Sequence, residues 1–177
     1  MERRLWPKVI LGAVGVLVLS ACSTAESDEA IDEVNAYPTV STVNGEVPPG
    51  SPTLIHTSKE TLNVMRDGQH IRVYRDVREP GTRAPIHIHP FGGWTCVMSG
   101  QAVMYLEGME PKKAGPGECI DMPPMTPMSN VNPGTEPAVL IDTFVTPPNA
   151  PMMRIIEEGL EDDNQFATDH NLKTNPQ

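Results

Sequence analysis

Two histidines one residue apart are the clearest chemistry-bearing feature of the sequence. His87 and His89 lie in the stretch GTRAPIHIHPFGG, residues 81–93. On a β-strand, alternate side chains share a face, so we expect both imidazoles to face one space, with Ile86 and Ile88 on the other side. Two neutral imidazole nitrogens can bind one metal ion. They can equally hydrogen-bond a small organic ligand, and the spacing alone leaves both alternatives open.

Short apolar segments separated by turn residues surround the histidine pair and must position it. Gly, Pro and Asn stand between them, and 19 prolines disfavour a helical domain. Regular short strands with turn signals predict a β-sandwich or barrel. In the first strand we expect Ile71, Val73 and Tyr74 near one face, with Arg72 and Arg75 outside. The segments are HIRVYRDV, APIHIH, WTCVM, QAVMYLEG, ECIDMP and AVLIDTFV.

The core of the chain resembles the cupin family, whose members are small jelly-roll barrels. The first cupin motif runs G-x5-H-x-H, three or four residues, a glutamate, six residues and a glycine. Gly81, His87, His89 and Gly100 stand at this spacing. Gly93 stands where the family has its glutamate, so one expected ligand is missing.

The second cupin motif, G-x5-P-x-G-x2-H-x3-N, is matched in part. Gly117, Pro123 and Asn132 fit it, while Met125 replaces a glycine and Met128 replaces the third histidine. The resemblance covers roughly residues 53–156. It implies an all-β fold, a cupin-like jelly-roll β-barrel.

The resemblance also implies a metal site, in altered form. His87, His89 and Met128 would make a soft ligand set, which suits copper. A second alternative is iron, manganese, nickel or zinc held by the two histidines with waters or a substrate. A third alternative has no metal, and the histidines then bind a small organic ligand. Candidates to complete the second kind of site are Asp121, Asp142 and His56.

The walls of the barrel mouth follow from the same strand alternation. Thr95 and Val97 are predicted to face inward, and Trp94, Cys96 and Met98 outward. Apolar and sulfur-rich walls are typical of a site for one small ligand. The predicted pocket residues are Phe91, Thr95, Val97, Met104 and Met125.

Two cysteines lie in strands that are neighbours in the cupin jelly roll. The resemblance therefore implies that a cross-strand disulfide between Cys96 and Cys119 is feasible if both point to one face. A pair of free core thiols is the alternative.

The first residues predict export and lipidation. A net positive start, an apolar run over Val9 to Leu19 and small residues before a cysteine are typical of a signal peptide over residues 1–21. Leu19-Ser20-Ala21-Cys22 resembles the lipobox of bacterial lipoproteins, so Cys22 is the predicted lipidation site. We expect a protein anchored to the outer or cytoplasmic membrane of the cell envelope, facing the periplasm or the exterior.

The regions on either side of the predicted barrel are polar. Residues 22–52 are rich in Ser, Pro, Gly and acidic residues and are predicted to form a flexible tether. Residues 157–177 are predicted to form an acidic tail, as a short helix or disordered. The net charge of −10 argues against a nucleic-acid partner, because nucleic acids are polyanions.

These observations predict a membrane-anchored cupin-like lipoprotein that binds a small molecule, a metal ion, or both, in the cell envelope. The alternative is a cupin-type metal-dependent enzyme, of the dioxygenase, isomerase or lyase class, with an atypical His/His/Met site. The resemblance also implies that a homodimer can form, since cupins often pair through their sheets.

Overall fold

The computed structural model describes residues 33–53 and 58–160. Within these ranges residues 33–36 are helical and the rest of the regular structure is β-strand. The strands are β1 (Ser51–Pro52), β2 (Lys59–Arg66), β3 (Gln69–Arg78), β4 (Thr82–Arg83), β5 (His87–Ile88), β6 (Gly93–Ser99), β7 (Ala102–Leu106), β8 (Lys112–Ala114), β9 (Cys119–Met122), β10 (Met128–Val131), β11 (Ala138–Thr146) and β12 (Arg154–Ile155).

The strands form two sheets that enclose a common core. One sheet has the order β2-β3-β11-β6-β9. The other has the order β1-β4-β10-β5-β12, with β7 paired to β10 and β8 paired to β7. Side chains from both sheets, such as Leu106 and Leu140, are buried together between them. The predicted all-β cupin-like jelly roll is therefore confirmed.

Strand β6 shows the expected alternation of buried and exposed side chains. Thr95 and Val97 are buried, whereas Trp94 and Met98 are 47% and 59% exposed on the outer surface. Cys96 stands directly opposite Cys119 in the pairing of β6 with β9. The structure joins these two cysteines by a disulfide on that outer face.

Strand β3 contradicts the prediction for Arg72, Ile71 and Val73, whereas Arg75 is exposed and Tyr74 is buried as predicted. Arg72 was expected outside, but it is 0% exposed, and Tyr74 is buried on the same inward face. The Arg72 guanidinium can be buried because the end of β11 and the following loop supply acceptors, Thr146 Oγ1 at 3.3 Å and Ala150 O at 3.1 Å. Ile71 and Val73 point outward and are partly exposed.

The segment before β1 packs against the barrel, where a flexible tether was predicted. Ile86 and Ile88 point away from the barrel interior, and Val34 and Val43 bury them in a second apolar cluster. Arg154 Nη1 also donates to the backbone carbonyls of residues 34 and 37, at 2.6 and 2.7 Å. Uncovered, both isoleucines would expose apolar surface to water, which explains why residues 33–52 dock. The rest of the predicted tether and the signal peptide, including Cys22, lie outside the described residues.

The predicted acidic tail also begins with a packed residue. Glu157 is buried, and its two carboxylate oxygens each accept a hydrogen bond of 2.6 Å from the Arg83 guanidinium. One of those oxygens also accepts from the Ile86 N–H at 2.7 Å. A carboxylate can be buried when it is paired and hydrogen-bonded in this way, so Glu157 is part of the barrel. Residues 161–177 lie outside the described residues.

Across the described ranges, no helix is long and apolar enough to cross a membrane.

Candidate functional site

A small cavity of about 60 Å³ lies between the two sheets, next to the histidine pair. Its apolar wall includes Met104, Met122, Phe144 and Met152. Its polar wall includes Asp76, Arg78, His87, His89, Asn130 and Asp142. The cavity is thus a partly open site where a few polar groups converge on an apolar space, which is typical of small-ligand sites.

The two histidines face this cavity together, as the sequence predicted. Their rings are 4.9 Å apart between centroids, with the planes at 84°. His87 Nδ1 lies 2.7 Å from Pro85 O, and His89 Nδ1 lies 2.9 Å from Met152 O. A carbonyl oxygen only accepts, so each Nδ1 carries the proton. Each Nε2 therefore keeps its lone pair for a ligand.

Burial keeps both rings neutral. It lowers the pKa of His87 to about 4, although the hydrogen bond to Pro85 favours the charged form. For His89, burial and then the charge of His87 lower the pKa to about 3, against the hydrogen bond to Met152. At neutral pH both imidazoles are therefore hydrogen-bond acceptors or metal ligands on the cavity side, and neither is a cation.

Asp142 is the titratable carboxyl of the cavity. Burial, and next the negative charge of Asp76, raise its pKa to about 7, while the Thr95 hydroxyl and the Arg78 charge act in the opposite direction. Asp76 itself forms an ion pair of 2.7 Å with Arg78, which neutralises both charges. Asp142 therefore sets the net charge of the cavity near neutral pH.

The position of the missing glutamate is filled by an aromatic ring. A Cβ atom added to Gly93 would lie 2.7 Å from Phe144 Cδ1 and 2.8 Å from Thr143 O, closer than real contacts allow. The Phe144 ring lies against His89, with 4.6 Å between centroids. An apolar ring thus stands beside the histidines where the cupin motif would place a carboxylate.

The usual cupin metal set of histidines and glutamate does not fit these residues. Within residues 33–53 and 58–160, no group of three or more His, Cys, Asp or Glu side chains is placed to hold a metal ion. Asp121 is exposed and lines a groove on the outer surface, away from the cavity. His56 lies outside the described residues.

Met128 is placed beside the histidines by strand pairing. It is fully buried and stands opposite His87 in the register of β10 with β5. It packs in the core between the sheets and is not part of the cavity wall. The His87, His89 and Met128 metal set stays a prediction.

Two of the predicted pocket residues, Thr95 and Met104, line the cavity. Val97 is buried in the core next to it, since the same alternation carries it further along β6. Phe91 follows the histidine strand in a turn and lines the outer groove. Met125 packs against the second apolar cluster, because the backbone N–H of Met125 bonds to His89 O and holds it on that side.

Sequence reasoning missed Asn130 and the pair Asp76 and Arg78 as cavity residues. The Oδ1 atom of Asn130 and the Nε atom of Arg78 are buried without a hydrogen-bond partner. Asn130 lies two residues after Met128 on β10, so strand alternation from the motif position would have placed it inside. Asp142 had been considered only as a possible metal ligand.

Residues 75–144 match the sequence profile of a family described as Cupin domain. This part of the chain, which includes β5 to β10 and most of β11, is therefore similar to that family. A search of curated proteins found no match.

Several solved structures are similar to the chain. A cupin 2 conserved barrel domain protein from Salinispora arenicola is 19% identical over 49% of this chain and 71% of its own, with a TM-score of 0.42. An uncharacterized protein with a double-stranded beta-helix domain from Klebsiella pneumoniae is 24% identical over 72% and 95%, with a TM-score of 0.44. A DMSP lyase from Ruegeria pomeroyi is 18% identical over 52% and 44%, with a TM-score of 0.44, so this chain spans less than half of that enzyme.

Proposed function

We propose that this domain binds a small molecule in the cavity between its sheets, through the Nε2 atoms of His87 and His89. One observation carries the proposal: both Nδ1 atoms donate to backbone carbonyls, which leaves the Nε2 atoms of two histidines that line the same cavity as acceptors. Buried polar groups are normally paired, so acceptors held in this way favour a bound partner. The apolar wall excludes water and strengthens each hydrogen bond to that partner.

The test is a screen of small fragments by NMR against the full-length protein in detergent micelles. Compounds that bind the wild type should bind His87→Ala and His89→Ala at least tenfold more weakly, because each variant loses one acceptor. Asp121→Asn changes a side chain on the outer groove and serves as the control that should bind normally. Fragments that bind all four proteins equally would show that the cavity is not the site.

We propose as a second candidate that His87, His89 and Met128 hold a copper ion. The supporting observation is the hydrogen bonding of both rings, since metal-binding histidines usually donate their other ring N–H to a carbonyl or carboxylate. The thioether of Met128 is a soft ligand that suits copper. When bound, such an ion would supply a redox or Lewis-acid centre beside the cavity.

Elemental analysis of the protein, purified without a metal-chelating tag, tests this candidate. We expect about one equivalent of copper in the wild type and its loss from Met128→Ala. Met128→Leu is the matched variant, because it keeps the volume and removes the sulfur. Metal-free wild-type protein after incubation with copper would contradict the candidate and leave small-molecule binding standing.

We further propose that the protein acts at the membrane surface of a bacterial cell envelope, anchored through lipid on Cys22. The lipobox-like stretch ending at Cys22 supports this. Full-length protein should fractionate with membranes, and Cys22→Ser should be recovered in the soluble fraction. Mass spectrometry of the N-terminal peptide should show the attached acyl chains, and an unmodified Cys22 in the membrane fraction would contradict the proposal.

A further inference from the structure

We infer that the cavity ligand is a small primary ammonium compound, an inference that rests on the proposed small-molecule site. It follows from the kinds of polar atom that the cavity presents without a protein partner, and from the charge and size of the space around them.

Hydrogen-bond acceptors outnumber donors among those atoms. His87 and His89 each offer an Nε2 lone pair, because their Nδ1 atoms are taken by backbone carbonyls. Asn130 is 6% exposed, and its Oδ1 atom is buried without a partner. Two other cavity groups are buried without a partner, Arg78 Nε, which only donates, and the Thr95 hydroxyl, which can donate or accept. A primary ammonium group carries three N–H donors, whereas an alcohol carries one and a carboxylate none.

The charges around the cavity favour a cation. The Arg78 guanidinium is neutralised by Asp76 at 2.7 Å. Asp142 lines the same wall and adds one negative charge when it is ionised. Two aromatic rings, Phe144 and Tyr74, also line the cavity, with 6.2 Å between their centroids. The faces of such rings attract cations electrostatically.

The size of the cavity limits the rest of the ligand. About 60 Å³ is space for roughly four water molecules, given that each needs at least ~15 Å³. This admits an ammonium group with a short alkyl substituent. The thioethers of Met104 and Met122 provide a polarisable apolar wall for that substituent.

Isothermal titration calorimetry of the full-length protein in detergent at pH 8 tests the inference. The probes are n-propylammonium chloride, 1-propanol and sodium acetate, which are similar in size and differ in charge and donors. We expect propylammonium to bind at least tenfold more tightly than either of the others. Asn130→Ala and Asp142→Asn should each weaken its binding severalfold, and Asp121→Asn should not. Circular dichroism of each variant checks that the protein is folded.

The outcomes separate this inference from the function on which it rests. Acetate or propanol binding as tightly as propylammonium, with sensitivity to His89→Ala, would overturn the ammonium class and support a small-molecule site. Propylammonium binding that is unchanged in Asn130→Ala and Asp142→Asn would overturn the assignment to this cavity. If none of the probes bound and no fragment were sensitive to His87→Ala or His89→Ala, both proposals would fail.

Discussion

The two faces of the stretch 86–89 belong to regions of opposite character. On one face, His87 and His89 line a cavity whose wall also holds the unpartnered Oδ1 atom of Asn130. On the other face, Ile86 and Ile88 lie in an apolar cluster, and the Ile86 N–H donates to the Glu157 carboxylate. The first region leaves polar atoms unsatisfied, which costs stability, and the second satisfies them. Under the proposed function, one face of this stretch would bind the ligand, while the other face stabilises the fold.

Removing Glu157 should have the largest effect on stability. Glu157→Ala leaves Arg83 buried without its partner, which typically costs about 4 kcal/mol in the free energy of unfolding. Urea denaturation measures the loss. Glu158→Ala is the matched control, because its carboxylate accepts a hydrogen bond from Ser41 at an exposed position and should contribute below about 0.5 kcal/mol. Equal losses in the two variants would show that the buried pair does not stabilise this face.

Truncation of a side chain in the apolar cluster on the same face should have the second largest effect on stability. Ile156 is fully buried against Val34 and Val43, and Ile156→Ala is expected to cost about 3 kcal/mol. The loss combines transferred apolar surface with the cavity left behind. Val47→Ala, at a side chain that is 63% exposed, should change stability by less than about 0.5 kcal/mol. A small effect of Ile156→Ala in thermal and urea unfolding would mean that the segment before β1 contributes little.

Asn130 and Asn132, two residues apart, allow the stability effect of an unsatisfied polar group to be compared with that of a satisfied one. Asn132 is fully hydrogen-bonded: its Nδ2 donates to Arg78 O and Glu136 O, and its Oδ1 accepts from Gly134 N. Asn132→Ala should therefore cost about 2 kcal/mol, while Asn130→Ala should cost less than about 1 kcal/mol because its buried oxygen has no partner to lose. A larger loss of stability in Asn130→Ala than in Asn132→Ala, measured by urea denaturation, would contradict this prediction.

Asp142→Asn should have the smallest effect, and one that depends on pH. The folded state raises the pKa of Asp142 from 3.8 to about 7, so it binds this proton more tightly than the unfolded state does. The stability that comes from this proton is present below about pH 4 and is lost as the pH rises toward 7. Asp142→Asn has no such proton to lose. Between pH 4 and pH 8, its free energy of unfolding should therefore rise relative to that of the wild type by on the order of 1 kcal/mol.

Chemical unfolding of both proteins at several pH values measures that gain. His87 and His89 destabilise the fold as the pH falls below 6.5, because their folded pKa values are lowered, but they do so in both proteins and cancel in the difference. Asp121→Asn, at an exposed carboxylate, should show a flat difference from the wild type. If the stability difference between Asp142→Asn and the wild type were also independent of pH, the pKa of Asp142 would be the same in the folded and unfolded states.

The local parts of the site could be predicted from the sequence. The shared face of His87 and His89 and the inward direction of Thr95 follow from the two-residue period of a strand, which is fixed by backbone geometry. The barrel followed from short strands between turn residues. These features depend on neighbours in the sequence, so they do not require knowledge of the tertiary structure.

The parts that depend on distant contacts could not be predicted. Arg72 can be buried in β3 because its guanidinium donates to Thr146 Oγ1 and Ala150 O. Nothing near Arg72 in the sequence indicates these acceptors. The polar segment before β1 looked like a tether because its few apolar residues gain burial only from Ile86 and Ile88. The charge of the cavity likewise depends on Asp142, which lies 53 positions after His89 in the sequence. Strand alternation along β11 does not show which face points inward unless the barrel is already known.

The close approach of Phe144 to Gly93 restricts how a carboxylate could be introduced at position 93 by substitution. Gly93→Glu made first would drive its Cβ into the Phe144 ring, because only 2.7 Å separates their positions. Even if a smaller residue replaced Phe144 as the first step, the Thr143 carbonyl oxygen at 2.8 Å would still have to move before position 93 could accept a side chain. That first step opens a cavity in the core and typically costs ~3 kcal/mol or more. The path from this apolar site to a glutamate-containing one therefore passes through a less stable protein, whichever residue changes first.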